Sequence, residues 1–259
     1  MKAQQKGNTK HQQNLIKHDT NESTRLNKYI SDSGFCSRRE ADSFIENGHV
    51  TIDGAKAVLG AKVVPGQIVS VDGKIVEPKS SRVYIMLNKP IGITCTNDLE
   101  IKNNIRSFVD YKELIFPIGR LDKDSTGLIL LTNDGDIVNK ILRAEYGHEK
   151  EYIVTLSQDI TKDFISKMRS GVIIYNQVAH KDQKTNPCDI EMIDNKTFRI
   201  ILTQGLNKQI RRMCEALGYY VDTLKRIRIM NIELGDLKLG EWRYLSDIEL
   251  SNLNKLINR

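Results

Sequence analysis

Short strand-forming runs, broken at irregular intervals by short amphipathic stretches, dominate this chain and restrict the folds open to it. Past residue 83 the runs Tyr84 to Leu87, Leu128 to Leu131, Tyr152 to Leu156 and Phe198 to Leu202 are rich in Ile, Leu and Val. Between them Ile137 to Leu142, Ile160 to Met168 and Asn207 to Leu217 carry helical spacing. Regular strand–helix alternation would signal a doubly wound parallel sheet; the irregular order implies an α+β fold with a mixed, mostly antiparallel sheet. The 259 residues make room for one large domain or two modest ones. With 39% hydrophobic and 28% charged residues, 17 Gly and 5 Pro, collagen-like, low-complexity and wholly disordered classes are excluded. No apolar run reaches the ~18 residues of a membrane span. The N-terminus is Lys- and Gln-rich without an apolar segment, so a cytoplasmic address and no membrane contact are expected.

The N-terminal part reads as a separate module. Residues 1–22 are polar, lack any apolar period and are expected to form a disordered basic tail. From Arg25, Leu26, Tyr29 and Ile30 lie on one helical stripe, with Gly34 placed to end it in the left-handed conformation. Ser37-Arg38-Arg39-Glu40 then forms a capping box, followed by Ala41, Phe44 and Ile45 at helical spacing and Asn47-Gly48 as the stop. That turn sets Arg38 and Arg39 at the start of a helix, where unpaired N–H groups and the dipole favour a phosphate. Val50 to Gly54, Val63 to Gly66 and Ile68 to Gly73 read as short strands and turns. The expected boundaries are 23–78 for this module, 79–82 for a linker and 83–252 for the second domain.

Charge and motif spacing narrow the function. The chain carries 39 Lys and Arg against 33 Asp and Glu, a net +6, and Arg199 to Arg228 alone holds seven basic residues against Glu215 and Asp222. Such a cluster suits a polyanion, although a solvated helix face is an equal reading of the run by itself. Cys36, Cys95, Cys188 and Cys214 contain no C-x-x-C pair, and the five His are scattered, so no metal site is expected. Hydrolase, P-loop and dinucleotide motifs are absent. What stands out is Gly119-Arg120-Leu121-Asp122-Lys123-Asp124-Ser125-Thr126-Gly127, a polar loop between the apolar Ile115 to Ile118 and the strand Leu128 to Leu131. Asp122 taken alone is a catalytic carboxylate or a turn former; Asp122-x-Asp124 also admits a magnesium reading.

Two stretches carry a family resemblance. RLNKYISDSGFCSRREADSFIENGHVTIDG resembles an S4-type RNA-binding domain, a helix-turn-helix-like module, which implies structured-RNA binding. GRLDKDSTGLILLTNDGD resembles the signature of RNA pseudouridine synthases, in the group that joins the enzyme of small ribosomal RNA to the B-, E- and F-type enzymes of large ribosomal RNA. Further matches run in family order: Asn88-Lys89-Pro90-Ile91-Gly92, Lys150-Glu151-Tyr152, and Gln204 to Cys214. KILRA, HEKEY, LKRIRIMNIEL and LGEWRYL look most like the F-type branch. Lys208 where Arg is more common and Thr126 where a longer polar residue is usual are departures. The F-type enzymes also carry a basic extension past the point at which this sequence stops, Arg259.

The resemblance implies that Asp122 is the catalytic carboxylate of a cofactor-free, metal-independent isomerisation. A uridine's N1–C1′ bond breaks, the base turns and rejoins through C5. Asp122 either attacks C1′ or stabilises charge there and removes a C2′ proton. Tyr152 is placed under the base and removes the C5 proton. On the helix from about Asn207, Ile210, Met213, Cys214 and Leu217 form the buried stripe; at 100° per residue Arg211 borders it, whereas Lys208 and Arg212 face away. Arg211 is therefore expected to pair with Asp122, and Lys208 and Arg212 to meet RNA phosphates. Arg120 is either an RNA-positioning residue or a salt-bridge partner within the loop. Arg25, Lys28, Arg38 and Arg39 are the RNA-binding candidates of the S4-like module. The partner implied is a structured stem-loop of large-subunit (23S) rRNA, with another rRNA or a tRNA uridine as the alternative target and a monomer as the acting unit. Two rival readings are a non-catalytic RNA-binding or ribosome-assembly factor and a carboxylate-dependent glycosidase.

Overall fold

The computed structural model describes residues 2–7, 23–79, 81–142 and 147–258. Its first elements are β1 (Gln4–Gln5), β2 (Thr24–Arg25), α1 (Leu26–Asp32), α2 (Arg38–Glu46), β3 (Val50–Ile52), β4 (Ala55–Lys56), β5 (Lys62–Val63), β6 (Val69–Val71) and β7 (Lys74–Ile75). The S4-like module is built as its sequence implies. The Ser37 side chain accepts from the Glu40 N–H at 3.3 Å, and the Glu40 carboxylate accepts from the Ser37 N–H at 2.7 Å. Gly34 and Gly48 take positive φ after the two helices. Leu26, Ile30, Ala41 and Ile45 pack with Val50, Val69 and Val71 of the small sheet β4-β3-β6-β7.

The second domain continues with β8 (Tyr84–Lys89), α3 (Ile105–Val109), β9 (Phe116–Ile118), β10 (Thr126–Thr132), α4 (Gly135–Leu142), β11 (Lys150–Leu156) and α5 (Lys162–Ser170). It ends with β12 (Ile173–Asn176), β13 (Lys181–Lys184), β14 (Asp189–Met192), β15 (Thr197–Leu202), α6 (Gln209–Ala216), β16 (Val221–Ile229), β17 (Ile232–Glu233), β18 (Glu241–Tyr244) and α7 (Asp247–Ile257). The sheet order is β1-β18-β8-β10-β16-β11-β15-β14, with β9 on β10 and β17 on β16. Only β1–β18 and β10–β16 are parallel among these pairings, so the sheet is mixed and mostly antiparallel. Period-two alternation divides β8 and β10 between two cores: Tyr84, Met86, Leu128 and Leu130 pack with α4 and α7, and Ile85, Leu87, Ile129 and Leu131 with α3 and Trp242. A third core joins β11 and β15 to α5 and α6.

Two expectations need correction. Disorder is expected from residue 1, but residues 2–7 add an edge strand to the large sheet of the second domain. Ala3 N–H donates to Phe108 O at 2.8 Å, Gln4 N–H to Gly240 O at 3.0 Å and Lys6 N–H to Trp242 O at 2.8 Å. An open sheet edge supplies backbone partners to any short extended segment, which needs no apolar pattern of its own. The rest of that tail, 8–22, lies outside the described residues. The second domain also runs past 252, because α7 continues to Ile257 with Leu250 and Leu253 buried. Deleting residues 2–7 is expected to lower Tm by roughly 3–8 °C, the loss of a few net hydrogen bonds. Calorimetry showing no change would mean that β1 does not form.

Candidate active site

The loop after β9 is held by its backbone, carbonyl by carbonyl. Arg226, on β16, donates through Nε to Leu128 O at 2.7 Å and through Nη1 to Arg120 O at 3.3 Å. The Cys95 thiol donates to Leu121 O at 3.1 Å, and Ser125 N–H to Asp122 O at 3.0 Å. Lys123 O accepts from Gly92 N–H at 2.9 Å and Lys89 Nζ at 3.4 Å; Asp124 O accepts from Arg211 Nη2 at 3.0 Å. Lys89 is wholly buried and also donates to Pro90 O and Ile93 O. Burial is the first cause of its lowered pKa, opposed by the nearby Cys95, Asp122 and Asp124. Asn88-Lys89-Pro90-Ile91-Gly92 and the Asp122 loop, far apart in sequence, are thus one structural unit.

The side chain of Asp122 is treated differently from its backbone. Among the described residues no hydrogen bond or ion pair reaches its half-buried carboxylate, which lines a cavity of about 380 Å³. Tyr152 lines the same cavity, and its phenol has no described hydrogen bond either. The strand explains this placement. Lys150, Tyr152, Val154 and Leu156 share one face of β11, and Glu151 projects from the other, where Arg199 and Arg228 grip it at 3.2 and 2.7 Å. A free carboxylate and a free phenol over one concavity can serve a reaction that needs a nucleophile or base and, later, a proton acceptor.

The basic residues divide in ways the helical wheel does not reveal. Arg211 borders the cavity as expected, but its described bonds run to Val221 O (3.1 Å), Asp124 O and Ser125 Oγ (3.4 Å). The expected pairing with the Asp122 carboxylate is therefore replaced by a grip on the loop two residues further on. Arg212, expected to face RNA, is engaged within the fold. It donates to Tyr175 O at 2.9 Å and Asn207 Oδ1 at 3.0 Å, because the β12–β13 hairpin packs where the wheel shows solvent. Lys208 and Arg120 are exposed at the cavity rim.

In the S4-like module Lys28 is likewise engaged, with Asp32 at 2.6 Å and Asp136 at 3.0 Å; Arg38 stands 3.8 Å from Asp136. Arg25 and Arg39 are exposed. These contacts seat α1 and α2 against the start of α4, whose other end contributes Ile141 and Leu142 to the cavity, ~10 Å along the helix. Two cavity residues escape a reading of the sequence. Lys150 is 9% exposed and Arg226 4%, and the Arg226 Nη2 is buried without a partner among the described residues. The alternation that sets Arg226 on the same face as Leu224, two residues earlier, is the signal that could have found it.

Comparisons agree with this architecture. Residues 83–216 match the family model "RNA pseudouridylate synthase", and residues 24–69 match "S4 domain". A Salmonella typhi protein named "Dual-specificity RNA pseudouridine synthase RluF" is 55% identical over 240 residues, covering 92% of this chain and 81% of that protein. "Ribosomal large subunit pseudouridine synthase B" of Bacillus subtilis is 33% identical, covering 90% of this chain and 96% of that protein. A crystal structure of a pseudouridylate synthase superposes with a TM-score of 0.65 at 29% identity, over 88% of this chain and 99% of the other. The fold and a cavity built around a free carboxylate define an RNA-modifying isomerase with an S4 module. The chain belongs to the RNA pseudouridine synthase family, and over 92% of its length it is similar to a relative named RluF.

Gly127 closes the loop under a constraint only glycine meets. Its φ is +105°, and a Cβ would lie 2.2 Å from Arg226 O and 2.7 Å from Arg226 N. Gly127→Ala is expected to lower Tm by more than about 5 °C, or to prevent folding, because both clash and backbone strain oppose it. Gly60→Ala, at positive φ in open space, carries the strain alone, on the order of 1–2 kcal/mol. Equal Tm losses in the two variants would show that β10 does not approach β16 so closely.

Proposed function

We propose that this enzyme isomerises a specific uridine of large-subunit (23S) rRNA, the F-type site at uridine 2604, and a second uridine in tRNA. The relatives named RluF carry the words dual-specificity in their names, and the same cavity serves both RNAs in this reading. The single observation that carries it is the pairing of an unpartnered carboxylate, Asp122, with an unpartnered phenol, Tyr152, in one cavity beside exposed Lys208 and Arg120. In this reading the enzyme works in the cytoplasm as a monomer.

In this reading each group has a task. The target uridine leaves its stack, at a cost of a few kcal/mol that a loop or bulge reduces. Its base lies on Tyr152, and Asp122 faces the sugar at C1′ and C2′. Asp122 attacks C1′ or takes a C2′ proton; its fixed backbone and free side chain suit both steps. C5 of the turned base joins C1′ as the bond to Asp122 breaks or Asp122 returns the C2′ proton, and Tyr152 then accepts the C5 proton while its own phenolic proton passes to solvent. Arg211 acts as a positioning residue by holding the carbonyl after Lys123. Arg39 and Arg25 on the S4 module, with Arg120 and Lys208 at the rim, contact phosphates. Lys28 and Arg212 contribute to the fold instead.

Release of tritium from [5-³H]uridine in 23S rRNA and tRNA transcripts tests the reading. Wild type is expected to release tritium from both; release from neither would overturn the activity, and release from one would remove the second target. Asp122→Asn keeps the shape and should abolish release while RNA binding changes only a few-fold. Retained turnover would rule Asp122 out as the essential carboxylate. Tyr152→Phe keeps the stacking surface and should slow tritium release more than loss of the parent uridine. Wild-type kinetics in that variant would leave the phenol without a chemical task.

A further inference from the structure

We propose that Lys150, backed by Arg226, forms a cationic wall that holds the uracil anion released when the C1′–N1 bond breaks. The inference rests on the isomerase reading above and identifies what stabilises its leaving group.

The starting point is an imbalance in the cavity wall. Lys150 and Arg226 both line the cavity, and both are more than nine-tenths buried. The Lys150 ammonium has one described acceptor, His148 O at 2.9 Å, for three N–H groups. Arg226 uses Nε and Nη1 on backbone carbonyls, and its Nη2 has no partner among the described residues. Arg226 sits directly opposite Tyr152 in the ladder, and Lys150 lies two residues before Tyr152 on the same strand face. Burial, and then the Arg226 charge, lower the pKa of Lys150, so each cation feels the other. Neighbouring buried cations are unfavourable unless an anion compensates them. Asp122 is the one acid among the described lining residues.

The reaction supplies a second anion at the moment the first is consumed. When C1′–N1 breaks, the bond pair leaves with N1 and spreads over O2 and O4 of the ring. The sugar carbon gains a bond to Asp122, or the sugar loses a C2′ proton to it. Either way the Asp122 charge is neutralised as the uracil anion forms, and the two unsatisfied donors find a replacement. The ring then attacks C1′ through C5 as the bond from C1′ to Asp122 breaks or, on the other route, as Asp122 returns the C2′ proton; the proton lost from C5 is matched by one gained at N1. No electron and no co-reactant is consumed. A backbone phosphate is the other anion available, but it remains hydrated at the rim, where Arg120 and Lys208 are exposed.

Single-turnover rates at saturating RNA and RNA Kd, measured for Lys150→Met and Lys150→Gln, test this. Transcripts carrying uridine or 5-fluorouridine are compared, with loss of the parent nucleoside read after digestion. On uridine, Lys150→Met should lower the rate by roughly 10²–10³-fold with Kd changed only a few-fold, as for loss of a preorganised donor to developing charge. Fluorine withdraws electrons from the ring, so the fluorouracil anion needs less help, and the gap to wild type should narrow by about tenfold or more. Lys150→Gln keeps a donor for His148 O and carries the same readouts if the Met variant fails to fold. A near wild-type rate, or an equal gap on both substrates, overturns the inference. So does a loss confined to Kd with a salt slope reduced by roughly 0.7–0.9, the mark of a phosphate contact. Wild type inactive on both transcripts overturns the isomerase reading with it; active wild type beside active Lys150 variants overturns this inference alone.

Discussion

The parallel contact of β10 with β16 at Gly127 and Arg226 is the constraint on which the site depends. The strands meet there without room for a Cβ, and the Arg226 guanidinium reaches across to Leu128 O and Arg120 O, at the two ends of the Asp122 loop. Closing the loop in this way leaves its carbonyls turned into the protein, where each requires a donor. Lys89, Cys95, Gly92 and Arg211 provide them. A backbone fixed at every residue can present a carboxylate that nothing else holds. For the reaction proposed above, this orients the carboxylate before a substrate arrives.

Much of this was legible in the sequence where the signal is local. The Ser37–Glu40 cap, the stripe of Ile210, Met213 and Cys214, and the alternation along β11 each follow from residues a few positions apart. Asp122 and Tyr152 share a cavity as the family resemblance implied. What could not be read depends on partners distant in sequence. Arg212 lies on the solvent side of its own helix, and only the arrival of β12, whose sequence has no marked pattern, makes it a tether. Strand β1 is two polar residues whose only cause is an open edge. In Leu-Lys-Arg-Ile-Arg-Ile a basic run hides a buried face. A register shift beside Glu151 then turns Arg228 toward Glu151 while Arg226 faces Tyr152.

The basic cluster also changes meaning once folded. Of the seven cations between Arg199 and Arg228, Arg199 and Arg228 neutralise Glu151, Arg226 is buried, and Arg211 and Arg212 hold backbone carbonyls. Lys208 and Lys225 remain exposed. Net charge in a segment therefore overstated the surface offered to RNA. The same holds in the S4 module, where Asp136 engages Lys28 and draws Arg38 near, tying that module to α4. In the proposed reading recognition falls to a few cations spread over two domains, an arrangement suited to selecting RNA by shape more than by charge density.

The central claim is that this chain converts uridine to pseudouridine through the Asp122 cavity. Chemical mapping of pseudouridines across all rRNA and tRNA, in otherwise identical cells with and without the gene, tests it most directly. The account predicts that a large-subunit rRNA uridine and a tRNA uridine lose the modification when the gene is absent and regain it when the gene is restored. An unchanged map in every RNA would contradict it.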